Sequence, residues 1–248
     1  MSNQRRARAI AIIPVRVNSQ RLPGKALLKE SGKELFLHTC DQALAANCFD
    51  RVFVATDDDR VDEAARRHGI EVVRTSPTPR TGSERCAEAV QTIDCDAVID
   101  IQGDWPEVAP KDLEALVAQL LSGKAECNTL AVPLDESRTD DPNVVKVVRG
   151  KNGKALYFSR AAIPFVKEGP FGRLRHIGVY GFTRDVLLRI PGLPSSGLAE
   201  AESLEQLRFL ENDIAMHVLD ATSEPWGIEA RPDYDAFLQR LGKRGNRS

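Results

Sequence analysis

The sequence lacks the features that would assign it to a membrane, a polyanion or an oxidising compartment. Its 248 residues carry a formal charge of −2, with 34 Lys plus Arg against 36 Asp plus Glu. Such a balance gives no bulk basic footprint for nucleic acid or an acidic lipid surface. No apolar run approaches the roughly 18 residues of a membrane helix. The basic start, Arg5, Arg6 and Arg8, leads into a strand-length run that stops at Pro14, which is not the layout of a signal peptide. The expectation is a cytoplasmic protein that binds neither nucleic acid nor membrane. Cys40, Cys48, Cys86, Cys95 and Cys127 are odd in number and include no CxxC pair, which speaks against a disulfide framework or zinc knuckle and leaves reduced thiols. Both GxxxxGK[ST] and GxGxxG are missing, so neither a P-loop nor a dinucleotide fingerprint is available.

What is there is the alternation of an α/β protein. With 42% hydrophobic residues the chain has enough apolar side chains for a core, which excludes disorder along its whole length. Strand-like runs occur at 9–13, 51–56, 71–74, 97–101, 128–133, 144–149, 176–182 and 216–219, and they predict one large, mainly parallel mixed sheet. Helical spacing occurs at 36–46, 60–68, 83–91, 110–122, 183–190, 202–212 and 232–241, with Pro110 and Pro232 suited to first turns. Asn152-Gly153, between 144–149 and 155–158, predicts a hairpin with positive φ at both turn positions. Residues 164–175, rich in Gly, Pro and charge, predict a mobile surface loop. The basic segment 242–248 predicts a frayed tail.

The most informative stretch follows the first strand. Arg16, Arg21 and Lys25 fall in one loop at the carboxyl end of that strand, where open α/β sheets bind ligands. Three fixed cations suit a triphosphate, and backbone amides near Gly24 can add donors. The alternative is that they merely solubilise a loop. Asp104 follows the strand at 97–101, at another carboxyl end, where it can be a Mg²⁺ ligand or a loop cap.

Ile13-Pro14-Val15-Arg16, Ser19 and Arg21-Leu22-Pro23-Gly24-Lys25 resemble the opening signature of the 3-deoxy-manno-octulosonate cytidylyltransferases. The resemblance continues through Val54 to Asp58, Thr75-Ser76-Pro77, Gly82 to Arg85, Ile101 to Asp104, Ala155 to Arg160, His176 to Tyr180 and Leu204 to Arg208, covering nearly the whole chain. It implies a single Rossmann-like nucleotidyltransferase domain over 1–248, its sheet flanked by helices. Within it, 1–110 would form mainly the CTP-binding half. Residues 128–230 would form mainly the acceptor half, including a hairpin-containing acceptor and dimerisation region, in a homodimer. The implied reaction moves CMP from CTP to the acidic sugar 3-deoxy-D-manno-octulosonate (Kdo), for lipopolysaccharide synthesis, with Mg²⁺.

The resemblance also implies roles. Arg16, Arg21 and Lys25 would hold the triphosphate and stabilise the leaving group, and Asp104 would hold the metal. Pro14, Val15, Arg16, Arg80, Gly82, Ser83 and Arg85 would form the CTP site. Gln102, Arg160, His176, Tyr180, Glu205 and Gln206 would form the acceptor site, with Arg160 and His176 suited to a carboxylate. Glu205 and Gln206 read equally as ordinary helix surface, and His176 as a structural histidine.

Three departures keep alternatives open. Glu229 stands where the family has an aspartate as second metal ligand. Trp105 stands where it has an acidic residue, either packing or reshaping the acceptor pocket. Pro79-Arg80 differs from the usual pair. These motivate the same chemistry on another acid, such as 8-amino-Kdo, another nonulosonate-like acid or a small phosphonate. They also leave room for a CTP-binding regulatory protein without catalysis.

Overall fold

A computed structural model describes residues 7–19 and 21–245. The chain runs β1 (Ala9–Pro14), α1 (Leu35–Ala45), β2 (Arg51–Thr56), α2 (Asp59–Arg67), β3 (Glu71–Arg74), α3 (Gly82–Ala89), β4 (Ala97–Ile101), α4 (Pro110–Leu121), β5 (Cys127–Pro133), β6 (Lys146–Arg149), β7 (Ala155–Ser159), β8 (Leu174–Thr183), α5 (Arg184–Arg189), α6 (Gly197–Glu202), α7 (Glu205–Glu211), β9 (Met216–Asp220) and α8 (Arg231–Gly245). The nine strands form one mixed sheet ordered β3-β2-β1-β4-β8-β5-β9, with β6 and β7 branching from β8. Along that path only the two pairs made by β8 are antiparallel.

The central strands are apolar on both faces because both faces are covered. Ala11, Ile13, Val54 and Ile99 share a core with Phe36, Cys40, Val61 and Leu116 of α1, α2 and α4. The alternate residues Ile10, Ile12, Phe53 and Val98 share a second core with Cys86, Val186, Leu187 and Leu207 of α3, α5 and α7. A third, smaller core seats Tyr234 and Phe237 of α8 against Leu35 and Ile228. None of the five cysteines is in a disulfide, and all but Cys48 are buried.

Several expectations are corrected. The helix expected over 202–212 is broken: Ser203 adopts φ 54° as the C-cap of α6, and α7 starts afresh at Glu205. At the hairpin only Gly153 has positive φ. Gly153 N–H donates to Gly150 O and Gly150 N–H to Lys154 O, so the turn spans five residues with a register shift after Val148. Residues 164–175 are irregular only as far as Arg173, and β8 begins at Leu174. Helix α8 runs through Gly242 to Gly245, so the first four residues of the expected tail are helical and 246–248 lie outside the described residues.

The reversal at β8 positions the site. Val179 pairs with Ile101 at the carboxyl end of β4. The start of β8, with Arg175 and His176, therefore overhangs the edge where β1 and β4 release their loops.

Candidate active site

At that edge lies a cleft of about 790 Å³ whose wall includes Arg16, Arg21, Arg80, Gly82, Gln102 and Asp104 on one side. The wall is completed by Arg160, His176, Tyr180, Glu205, Gln206 and Glu229. Of the residues singled out from the sequence, Pro14, Val15, Ser83 and Arg85 are not among its lining residues, and Lys25 reaches the cleft only through its contact with Asp104.

The loop after β1 is shaped by Gly24, which takes φ 68°, a conformation costly for any residue with a Cβ. Its carbonyl accepts from Leu27 N–H at 2.8 Å, opening a short 3₁₀ turn at Lys25. The Lys25 ammonium thereby reaches the Asp104 carboxylate and donates to Ile228 O at 2.8 Å. Arg21 forms an ion pair with Glu229 and donates to Asn143 Oδ1 at 3.1 Å. Ile228 N–H donates to Asp104 O at 2.9 Å, which joins the two carboxylate-bearing segments. Each carboxylate thus faces a loop cation.

Behind Arg80, Thr81 caps α3 by accepting from Glu84 N–H. Gly82 must lack a side chain, since a Cβ there would lie 2.1 Å from Gln102 Nε2. The Gln102 amide donates to Asp100 Oδ1 at 2.7 Å, and Ser83 Oγ donates to Asp100 Oδ2 at 3.0 Å. That orientation aims the Gln102 carbonyl away from Asp100. Burial, then the nearby Glu205 charge, pushes the Asp100 carboxyl well above the usual range. Two CTP-site candidates have other work in this structure. Val15 N–H donates to Ala55 O at 2.9 Å. Arg85, 4% exposed, pairs with Asp57 at 3.0 Å and donates to Thr75 Oγ1. It braces the segment after β3 against the one after β2.

The opposite wall is more deeply buried. Tyr180 donates its hydroxyl proton to Gln206 Oε1 at 3.2 Å, and Gln206 Nε2 and Glu205 Oε2 are left buried without partners. Both residues line the cleft, and such unsatisfied groups are the ones a ligand's hydroxyls can complete. Burial raises the Glu205 carboxyl above its ordinary value. His176 is packed edge-on against Phe158 and its Nε2 meets Thr129 Oγ1 at 2.9 Å. As that hydroxyl donates to Val179 O at 2.7 Å, the imidazole is the donor to Thr129. Burial, with the Arg175 charge beside it, pulls its pKa down to about 3, so the ring is neutral. Arg160 gives Nε to Glu202 O and Nη1 to Pro142 O, both at 2.9 Å.

Trp105 both packs against the core and lines the cleft. A Cβ at Gly178 would lie 3.0 Å from its Nε1, and one at Gly227 3.2 Å from its ring. Sequence reasoning passed over Trp226, Arg138 and Arg175, which also line the cleft. The two guanidinium carbons lie 4.2 and 3.9 Å from the Trp226 ring centre. Nothing in their spacing signals this, since Arg138 ends a 3₁₀ turn, Arg175 stands on β8 and Trp226 lies in a loop.

Comparisons with known proteins agree with this geometry. Residues 10–216 match a family model described as cytidylyltransferase. A 3-deoxy-manno-octulosonate cytidylyltransferase of Chlorobium limicola is 41% identical over 245 residues, 96% of this chain and 99% of that one. One from Nitratidesulfovibrio vulgaris is 41% identical over 238 residues, covering 93% and 94%. The solved structure of a CMP:2-keto-3-deoxy-manno-octonic acid synthetase complexed with CTP superposes with a TM-score of 0.91 at 32% identity, covering 96% of this chain and all of that one.

Proposed function

The chain belongs to the cytidylyltransferase family, among the 3-deoxy-manno-octulosonate cytidylyltransferases, and on that premise we propose that it transfers CMP from CTP to Kdo with release of pyrophosphate. The observation that carries the reading is a single cleft with loop cations and two carboxylates on one wall and buried, unpartnered hydrogen-bonding groups on the other. The first wall suits a triphosphate and the second a polyhydroxylated acid.

In this reaction the acceptor hydroxyl oxygen bonds to the α-phosphorus while the bridge to the β-phosphate breaks, and the electron pair leaves with pyrophosphate. Catalysis of this kind is mostly positioning and charge neutralisation. Arg16, Arg21 and Lys25 bind the phosphate oxygens, with Lys25 and Arg21 exchanging their carboxylate partners for them. Arg80 and Gly82 line the nucleotide side, and Gln102 contributes to the acceptor side. Tyr180, Glu205 and Gln206 bind the sugar hydroxyls.

Asp104 and Glu229 fit a Mg²⁺ ion, because two carboxylates joined through the Ile228–Asp104 backbone bond are the donor set such an ion takes from protein beside substrate phosphates. When bound, the ion neutralises phosphate charge and lowers the pKa of the attacking hydroxyl. We assign residues 1–110 mainly to CTP and 128–230 mainly to the acceptor. A homodimer and a cytoplasmic location complete the reading. Exposed Leu156, Phe165 and Phe171 around β7 and the loop that follows it support the former. For the latter, no helix among the described residues is long and apolar enough to cross a membrane.

The test is pyrophosphate release from CTP and Mg²⁺ with Kdo, 8-amino-Kdo, a sialic acid and small phosphonates. Kdo is expected to be used best. A different acid used in its place would favour the second reading, which rests on Trp105 filling part of the acceptor wall.

A further inference from the structure

Most cations of the cleft wall have an acceptor within the protein. Arg208 pairs with Glu84 at 2.9 Å and Arg138 with Asp141 at 2.6 Å, while Arg160 serves backbone carbonyls as described. Arg175 differs. It is 4% exposed and donates Nη1 to Pro225 O at 2.9 Å, yet its Nη2 is buried with no hydrogen-bond partner. No carboxylate of the described residues lies within ion-pair distance of it. Glu224 attracts it from farther away and Arg138 repels it. Burial lowers its pKa to about 10, so it remains charged at neutral pH. A desolvated cation with an open donor is costly unless an anion completes it.

Its plane is also fixed. The guanidinium carbon lies 3.9 Å from the centre of the Trp226 ring, a contact that attracts a cation and restrains a guanidinium face-on. Next along the strand, His176 is neutral and its Nε2 already donates to Thr129, so it cannot supply the charge.

We propose that Arg175, held by the Trp226 ring, is the specificity-determining anchor for the carboxylate of the acceptor acid, with Trp226 as its positioning residue. The inference rests on the acceptor being an acid, as in the reading above. It assigns the charge recognition to a guanidinium with an unused donor in place of Arg160 and His176.

The chain's two tryptophans, Trp105 and Trp226, both line the cleft, so their emission reports binding without turnover. Titration of the CTP-free protein with Kdo and with its C1 amide is expected to show the acid binding about 10-fold or more tightly than the amide, the scale of one charged hydrogen bond. In Arg175→Met that ratio should fall to near 1 with CTP affinity unchanged. Arg175→Lys, which preserves stem and charge, should retain a reduced ratio, and Trp226→Leu should lower it with Arg175 still present. No acid preference in the wild type, or an undiminished ratio in Arg175→Lys and Arg175→Met, would overturn the proposal. Equal weakening of acid and amide would make Arg175 scaffolding and overturn it as well. Pyrophosphate release by the wild type with Kdo is read in parallel; its failure removes the acceptor assignment, while the acid-to-amide ratio judges Arg175 alone.

Discussion

Arg16, Arg21 and Lys25 stand on a loop, and Arg21 and Lys25 reach carboxylates on other segments. Arg175, His176 and Tyr180 stand on β8, buried to 7% exposure or less, with their partners largely fixed by packing. The first wall is built from charges that can change partners when phosphate arrives. The second is built from groups whose geometry is set before any ligand comes, at the cost of leaving Gln206 Nε2 and Glu205 Oε2 unsatisfied. Exchangeable charge suits a ligand that is consumed and expelled as an anion, and preset hydrogen bonds suit the choice of one sugar from many.

That contrast can be broken most sharply at Lys25. Lys25→Met is expected to lower kcat by about 10²- to 10³-fold, the usual effect of removing one preorganised charge donor, while the Kd for the acceptor stays the same. A rise in acceptor Kd of the same size would show the two walls to be one unit. Arg85→Met comes next. Breaking its pair with Asp57 should cost about 3 kcal/mol, the lower end for a buried pair because Asp57 is partly exposed. Thermal denaturation should record that loss while the KM for CTP changes little; a KM effect without a stability effect would return Arg85 to the nucleotide site.

His176 sharpens the contrast through pH. Its folded pKa is about 3 against 6.5 when unfolded, so below pH 6.5 the unfolded chain binds a proton that the folded protein does not. Stability therefore falls as pH falls from 6.5 towards 3, by about 2 kcal/mol at pH 5 from this group. His176→Asn should flatten that part of the stability profile, and an unchanged slope would mean that the ring is not buried neutral. The smallest effect is expected at Gln206. Gln206→Ala should raise the acceptor KM about 10-fold, as loss of a neutral hydrogen bond does, and leave the KM for CTP alone.

The first wall was legible in the sequence because its residues are local. Arg16, Arg21 and Lys25 lie within one loop whose glycine and position after an apolar strand announce it, and Asp104 follows β4 by the same rule. Glu229 was singled out only through resemblance, and the Ile228 N–H to Asp104 O bond ties its segment to that of Asp104. The second wall was harder to read, since Glu205 looks like helix surface until Ser203 breaks the helix at φ 54° and turns Glu205 under the cleft. Arg85 was assigned to CTP because a cation beside Gly82 and Ser83 reads as a ligand group, whereas in the structure it is 4% exposed and held by Asp57 and Thr75.

Alternation of apolar runs was enough to set the α/β class, the strands of both halves and the loop that carries the cations, because periodicity and turn chemistry act between residues near in sequence. Only the tertiary structure decided that β8 runs against β4, so that Arg175 and His176 overhang the cleft, and that Trp226 meets Arg138 and Arg175. Those contacts join segments tens of residues apart, and burial, which strips Arg175 and His176 of water, is a property of the packed sheet and not of any stretch of chain.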